Sequence, residues 1–435
     1  MKKYSSLLLI TFAILFLLPQ AIIAQKKAEP KGDIYAQQVQ TITKDKRIKE
    51  AFVIIDNLEP TTRKEHIELN EVPAPPFKEA VRAQYYKKML EAAGSDKVWI
   101  DSVGNVLALR KGKKGGRTVV LDAHLDTVFP EGTDVTVKQK GDTLFAPGIS
   151  DDTRGLIVML TVLKALETGN IETNDDVLFV ATVGEEGLGD LQGVKYIIEK
   201  SKLRIDSWIA IDGTEINLIV NGALGSVRYK ALITGPGGHS WGAFGLANPH
   251  HAMAKAMNYF ADEAARFTST GIKTSFNVGR TGGGTSVNSI PFESWAEVDM
   301  RSESPSQLKK IDSIFKSTMK RGVDDYNAGV KKGPVLTVSL NRIGYRPSGT
   351  TSEKEPLVQR AWAASKQFIT NPQFEIVSTN ANIPIAHGIP AITIGGGGKS
   401  NHEHSLDEWW LNEKGSDGIK FVLLTLLMEA GLEKK

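Results

Sequence analysis

Four apolar runs, Thr118–Leu121, Val177–Val183, Trp208–Ile211 and Ile389–Ile394, each give way within a few residues to glycine, acid or histidine. Runs this short and this apolar read as strands buried on both faces, the habit of parallel sheets covered by helices. In such sheets the ligand site lies outside the carboxyl ends of the strands. The polar stretches that follow these runs are His124-Leu-Asp126, Gly184-Glu185-Glu186, Ile211-Asp212-Gly213 and His402-Glu403-His404-Ser405. A fifth, Ser150-Asp151-Asp152, opens a helical pattern. Imidazoles and carboxylates converging at one end of a sheet, in a chain with no cysteine, suit divalent transition-metal ions and hydrolytic chemistry.

The chain has 435 residues, too many for one ordinary core, so two domains are expected. Its net charge of +3 is close to neutral for that length, and the lysines are scattered, which leaves no electrostatic footprint for nucleic acid. Met1-Lys2-Lys3, the apolar run Leu7–Leu18 and the small residue Ala24 follow the pattern of a secretory signal peptide, with cleavage expected after Ala24. The run is too short for a membrane span, so no membrane association is expected once it is removed. The absence of cysteine excludes disulfides, thiolate ligands, a cysteine nucleophile and a lipid-bearing cysteine. An exported protein follows, secreted or periplasmic.

Helical periodicity over Tyr35–Leu58 is expected to break at Pro60, and a further helix to span Lys78–Ala93. Strand and helix patterns then alternate to about residue 220, as in a layered α/β domain. Beyond Gly225 the order becomes strand, helix, strand, strand, helix, strand, ending near Leu340. That is a split βαβ, ferredoxin-like module. The expected fold is therefore α/β: a catalytic domain with a mostly parallel central sheet, formed by residues 33–224 and 344–435, interrupted by an α+β domain over residues 225–343.

Two cations about 3.5–4 Å apart need a bridging carboxylate and a few terminal ligands each. His124, Asp151, Glu186, Asp212 and His404 form such a set, and without thiolates it favours zinc, with cobalt or manganese as substitutes. Asp126, two residues past His124, is placed to accept the other imidazole proton and fix the tautomer. Glu185, beside a ligand but not needed as one, is the natural general base. Gly395–Gly398 followed by Lys399-Ser400 mimics the end of a phosphate loop, but Thr393 stands where its first glycine belongs.

With these residues in view, the chain resembles the co-catalytic zinc metallopeptidase family that includes tripeptide aminopeptidase (peptidase T), glutamate carboxypeptidase, succinyl-diaminopimelate desuccinylase and aminoacylase. The likeness also rests on Gly235-Pro-Gly-Gly-His239-Ser240, Asn288-Ser-Ile-Pro291 and His404-Ser-Leu-Asp-Glu408, and it runs from about residue 40 to the C-terminus. The resemblance implies a zinc-exopeptidase-like catalytic domain and an insert that serves as dimerisation or lid domain. It implies that Asp151 bridges the ions, with His124 and Asp212 on one and Glu186 and His404 on the other; the His-Ser-x-x-Glu pattern favours His404 over His402. It places Glu185 as base, His239 in the active site of a partner subunit in a homodimer, and Asn288 and Arg301 against substrate. Two departures stand out: Asp152-Thr153-Arg154 where Lys or Met is usual, and Asn380 where many relatives carry Asp. The activity implied is hydrolysis of short peptides, tripeptide aminopeptidase-like, partly through Pro73-Ala-Pro-Pro-Phe77. A carboxypeptidase or N-acyl amino-acid deacylase on the same scaffold is the alternative, and an inactive peptide-binding relative a remote one.

Overall fold

In the computed structural model, residues 33–433 are described; the expected signal peptide, residues 1–24, lies outside them. The expected apolar runs form strands Thr118–His124, Asp176–Thr182, Ser207–Ile211 and Ala391–Ile394, which lie side by side and parallel. His124 pairs with Thr182, and Ile394 with Ile211, so all four strands end at the same edge. The sheet is mixed rather than parallel throughout. Lys97–Ile100 and Val106–Arg110 join antiparallel on one side, and Leu218–Ala223 joins antiparallel on the other. Lys97–Ile100 and Val106–Arg110 form a hairpin, whereas Val106–Arg110 and Leu218–Ala223 meet the central strands across long stretches of chain.

The helix Thr153–Thr168 is buried almost all round. It packs on Thr118–His124 and is itself covered by Lys46–Asn57, Glu59–Asn70 and Gly415–Ala430, forming the larger apolar core. A helix that is apolar on every face has to be internal. The opposite face of the sheet is covered by Gln192–Glu199 and Asn382–Ala386. Helical structure does break just before Pro60, as the sequence reading expected, but it is already divided at Asp45 and it resumes at once with Glu59 and Pro60. The proline sits in the first turn of Glu59–Asn70, where its missing N–H has no intrahelical partner to lose.

Leu218–Ala223 passes almost without a break into Gly225–Thr234, the first strand of a second sheet. This sheet is antiparallel, in the order Thr274–Gly283, Glu293–Ser302, Gly225–Thr234, Thr337–Arg346. Helices Pro249–Thr268 and Pro305–Asn327 cover one of its faces with a separate apolar cluster centred on Phe260 and Phe315. The strand order is the ferredoxin-like one. A small third sheet contains Lys399–Asn401 and Trp409–Leu411, and the turn between them carries His402 to Glu408.

Candidate metal centre

His124 ends its strand buried in the sheet edge. Its Nδ1 lies 3.0 Å from the main-chain carbonyl oxygen of Asp126, which can only accept, so Nδ1 carries a proton and Nε2 is the nitrogen that faces inward. The expectation for Asp126 is corrected on this point. Its carboxylate stands 3.6 Å from Nδ1 and instead accepts the backbone N–H groups of Glu185 at 3.0 Å and Glu186 at 2.8 Å. Asp126 thus shapes the acidic loop, and its main chain sets the tautomer.

His124 Nε2 faces Asp151 Oδ1 at 3.0 Å, and His404 Nε2 faces Asp151 Oδ2 at 2.9 Å and Glu186 Oε1 at 3.0 Å. One oxygen of Asp151 therefore serves each side. The candidate donor atoms group as His124, Asp151 and Asp212, and as Asp151, Glu186 and His404, each set lying within 4.8 Å. The two trios share Asp151 alone. His402 turns away, its Nδ1 2.9 Å from Asp407 in solvent, while His404 faces the acids from a left-handed backbone. Asp151 and Asp152 are joined by a cis peptide bond. Asp152 faces away from the trios, accepting from the N–H of His124 at 3.0 Å and capping the helix Thr153–Thr168 through Gly155 N–H.

The electrostatics describe a site built for cations. Burial, then the charge of Asp151, pushes Asp212 up to about 7. Burial likewise pushes Glu185 up to about 8, against the pull of Arg346. Burial would raise Asp151 too, but hydrogen bonds with His124 and His404 outweigh it and hold that carboxyl well below the ordinary range. His404 is raised to about 11 by its hydrogen bonds with Asp151 and Glu186. Divalent ions would relieve this crowding of carboxylates, and the oxygen and imidazole donors fit zinc-like ions. Metal binding must then displace the imidazole protons.

A cavity of about 510 Å³ opens onto Asp151, Glu185, Glu186, Asp212 and His404. Arg301 lines it, its Nε 2.8 Å from Asp299, alongside Arg228, whose Nε is 2.7 Å from the same carboxylate. His239 and Asn288 are not in its lining. Both are exposed on the insert, where Asn288 O accepts from Ser240 N–H.

Four further residues shape the site: Glu408, met in the sequence only as the end of a motif, Arg82, which was not singled out there, and the two departures Arg154 and Asn380. Glu408 is buried and accepts from the N–H groups of Gly148, Ser150 and Asp151 and from Ser150 Oγ, all within 3.1 Å. Arg82 donates to the carbonyls of Asn70, Val72 and Leu125, fixing the chain beside His124. Arg154, one of the two departures, donates to Gly396 and Gly415 carbonyls and stacks on Trp410, steadying the glycine-rich approach to His404. Asn380, the other, donates to Asp122 at 2.9 Å and Thr182 at 2.7 Å. An aspartate there would put two carboxylates together in the core.

A parallel-centred α/β sheet with paired acid and imidazole trios at its carboxyl edge defines a metal-dependent hydrolase. The chain belongs to Peptidase family M20/M25/M40, whose pattern matches residues 120–428. It is 25% identical over 312 residues to the uncharacterized protein YqjE of Bacillus subtilis, covering 69% of this chain and 78% of that one. Aminopeptidase PepT of Bacillus cereus superposes with a TM-score of 0.66 at 21% identity, over 84% of this chain and 97% of the other. The M20 metallo-carboxypeptidase Sso-CP2 of Sulfolobus solfataricus gives 0.67 at 18%, over 85% and 99%.

Proposed function

We propose that this protein is an exported di-zinc exopeptidase that hydrolyses short peptides with tripeptide aminopeptidase-like specificity. The observation that carries the reading is the sharing of Asp151 between two ligand trios with Glu185 beside them. His124 and Asp212 would hold one ion, Glu186 and His404 the other, with Asp151 common to both. When bound, such a pair polarises the scissile carbonyl and brings the pKa of a water towards neutrality.

The rest is work for the protein's own side chains. Glu185 takes the proton of the attacking water and delivers it to the departing amine. Arg301 grips the substrate carboxylate, a task suited to a planar, permanently charged fork. His239 and Asn288, remote from their own cavity, are assigned to the site of a second subunit, where the imidazole steadies the developing oxyanion. Export is read from residues 1–24 and the lack of cysteine.

The test is hydrolysis of a free tripeptide, its N-acetylated form and its C-amidated form, with and without a chelator. Cleavage of the free peptide and, at a raised KM because Arg301 loses its partner, of the amidated one, but not of the acetylated one, lost on chelation and restored by zinc, is the expected result. The carboxypeptidase or deacylase alternative draws support from Arg228, Arg301 and Arg346 all lining the cavity; it requires cleavage of the acetylated and not the amidated peptide. Glu185→Gln should retain metal while kcat falls about 10²–10⁴-fold.

A further inference from the structure

Glu185 stands close enough to the ligands to become one. Its carboxylate forms a third candidate trio with His124 and Glu186, again within 4.8 Å. A general base must keep a lone pair for the proton, and a carboxylate drawn onto an ion gives that up. The group that restrains it is Arg346. Its Nη1 donates to Glu185 Oε1 at 2.8 Å and to Ser378 Oγ at 3.0 Å, and its Nη2 donates to the main-chain carbonyl of Glu185. Both side chains are only 6% exposed. Holding the carboxylate and the backbone of one residue at once fixes its torsions as well as its place.

Arg346 ends the insert strand Thr337–Arg346, and the strand end is itself anchored to the acidic loop. Tyr345 N–H donates to the Asp190 carboxylate at 2.9 Å, and Tyr345 O accepts from Lys195 at 2.8 Å. The guanidinium is therefore positioned from outside the loop that it controls.

We propose that Arg346 is a positioning residue that keeps Glu185 in the role of base by denying its Oε1 to the cations. The proposal rests on the reading of the site as a two-ion centre with Glu185 as base. Arginine suits the task because its fork makes two directed contacts and its charge is permanent, whereas lysine offers a single mobile point. The competing role is substrate binding, because the Nε of Arg346 is buried without a partner and is the atom a substrate carboxylate would claim.

Cobalt-substituted wild type, Arg346→Gln, Arg346→Lys, Glu185→Gln and the double variant Arg346→Gln/Glu185→Gln separate these roles. Arg346→Gln is expected to lower kcat for a tripeptide about 100-fold with KM nearly constant. In the Glu185→Gln background Arg346→Gln should cost little more, since one residue acts through the other. The visible absorption of bound cobalt should change in Arg346→Gln, as Glu185 joins the ion, and revert in the double variant. Arg346→Lys, which keeps a charge beside Glu185, should show the same changes in smaller measure, and it carries the test if the glutamine variant does not fold. The proposal is overturned by a raised KM at constant kcat that vanishes with the C-amidated peptide. It is equally overturned by multiplicative losses with an unchanged cobalt spectrum. A wild type that binds no cobalt and cleaves no peptide brings down the two-ion reading itself, which is a different failure from an active wild type indifferent to Arg346.

Discussion

Glu408 fills its acceptor capacity with four donors from Gly148, Ser150 and Asp151, and so sets the direction of the shared carboxylate. Glu408→Gln keeps the shape but turns an amide NH2 towards backbone N–H groups. Metal affinity should fall about 10–100-fold in chelator competition, with the circular dichroism spectrum unchanged. His66 offers a second residue-scale test. Burial, then the charge of Arg154, lowers it to about 3, and it stays neutral with Nε2 2.7 Å from Ile149 O. An unfolded chain would protonate this imidazole below about pH 6.5 while the native chain does not, so its contribution to stability is lost as pH falls from 6.5 towards 3. His66→Gln should therefore remove about 2–3 kcal/mol of the wild-type stability loss between pH 6.5 and 4.5, measured by urea unfolding at both. The candidate ligands were legible in sequence because their type and their place at strand ends both carry meaning. Arg346 and Arg82 were not, nor was the role of Glu408, because what matters is a contact with backbone or side chain far along the chain. Asp126 misled for a related reason: its position was read correctly, but sequence cannot say whether carboxylate or carbonyl meets the imidazole.

At the scale of elements, the close approach of the two insert helices depends on one glycine. A Cβ at Gly322 would lie 2.4 Å from Ala256 Cα and 2.7 Å from Ala256 Cβ. Gly322→Ala favours helix locally yet forces the pair apart, and the overpacking should destabilise by about 1–3 kcal/mol, read as a lower denaturant midpoint. Metal stoichiometry should be unaltered, since the trios stand outside the insert. The parallel centre of the larger sheet and the ferredoxin-like order of the insert were both readable, the first from unbroken apolar runs and the second from the succession of strand and helix patterns beyond Gly225. The antiparallel flanks were not. Val106–Arg110 is as buried as the central strands, and apolarity alone does not report direction. The helix whose first turn holds Pro60 was not read, because a proline that breaks a helix and one that begins a helix look alike without the flanking geometry.

The molecule as a whole presents His239 and Asn288 on the insert, away from the cavity of their own chain. If a second copy supplies them, Glu185→Gln and His239→Ala chains should complement each other when mixed and allowed to exchange. Half of the dimers would be mixed, each with one intact site, giving about a quarter of wild-type activity from two nearly inactive parents. Activity that stays at the parental level after exchange would assign His239 no role across subunits. The link between Glu408 and the Asp151 turn spans 257 residues of sequence. A chain still emerging from the ribosome and halted before that turn of the third sheet would own an untied bridge and one trio short of its histidine. Completion of the second trio is thus a late event in the life of the polypeptide, and a truncation that removes the chain from His404 onward would undo a site whose other parts are encoded near its beginning.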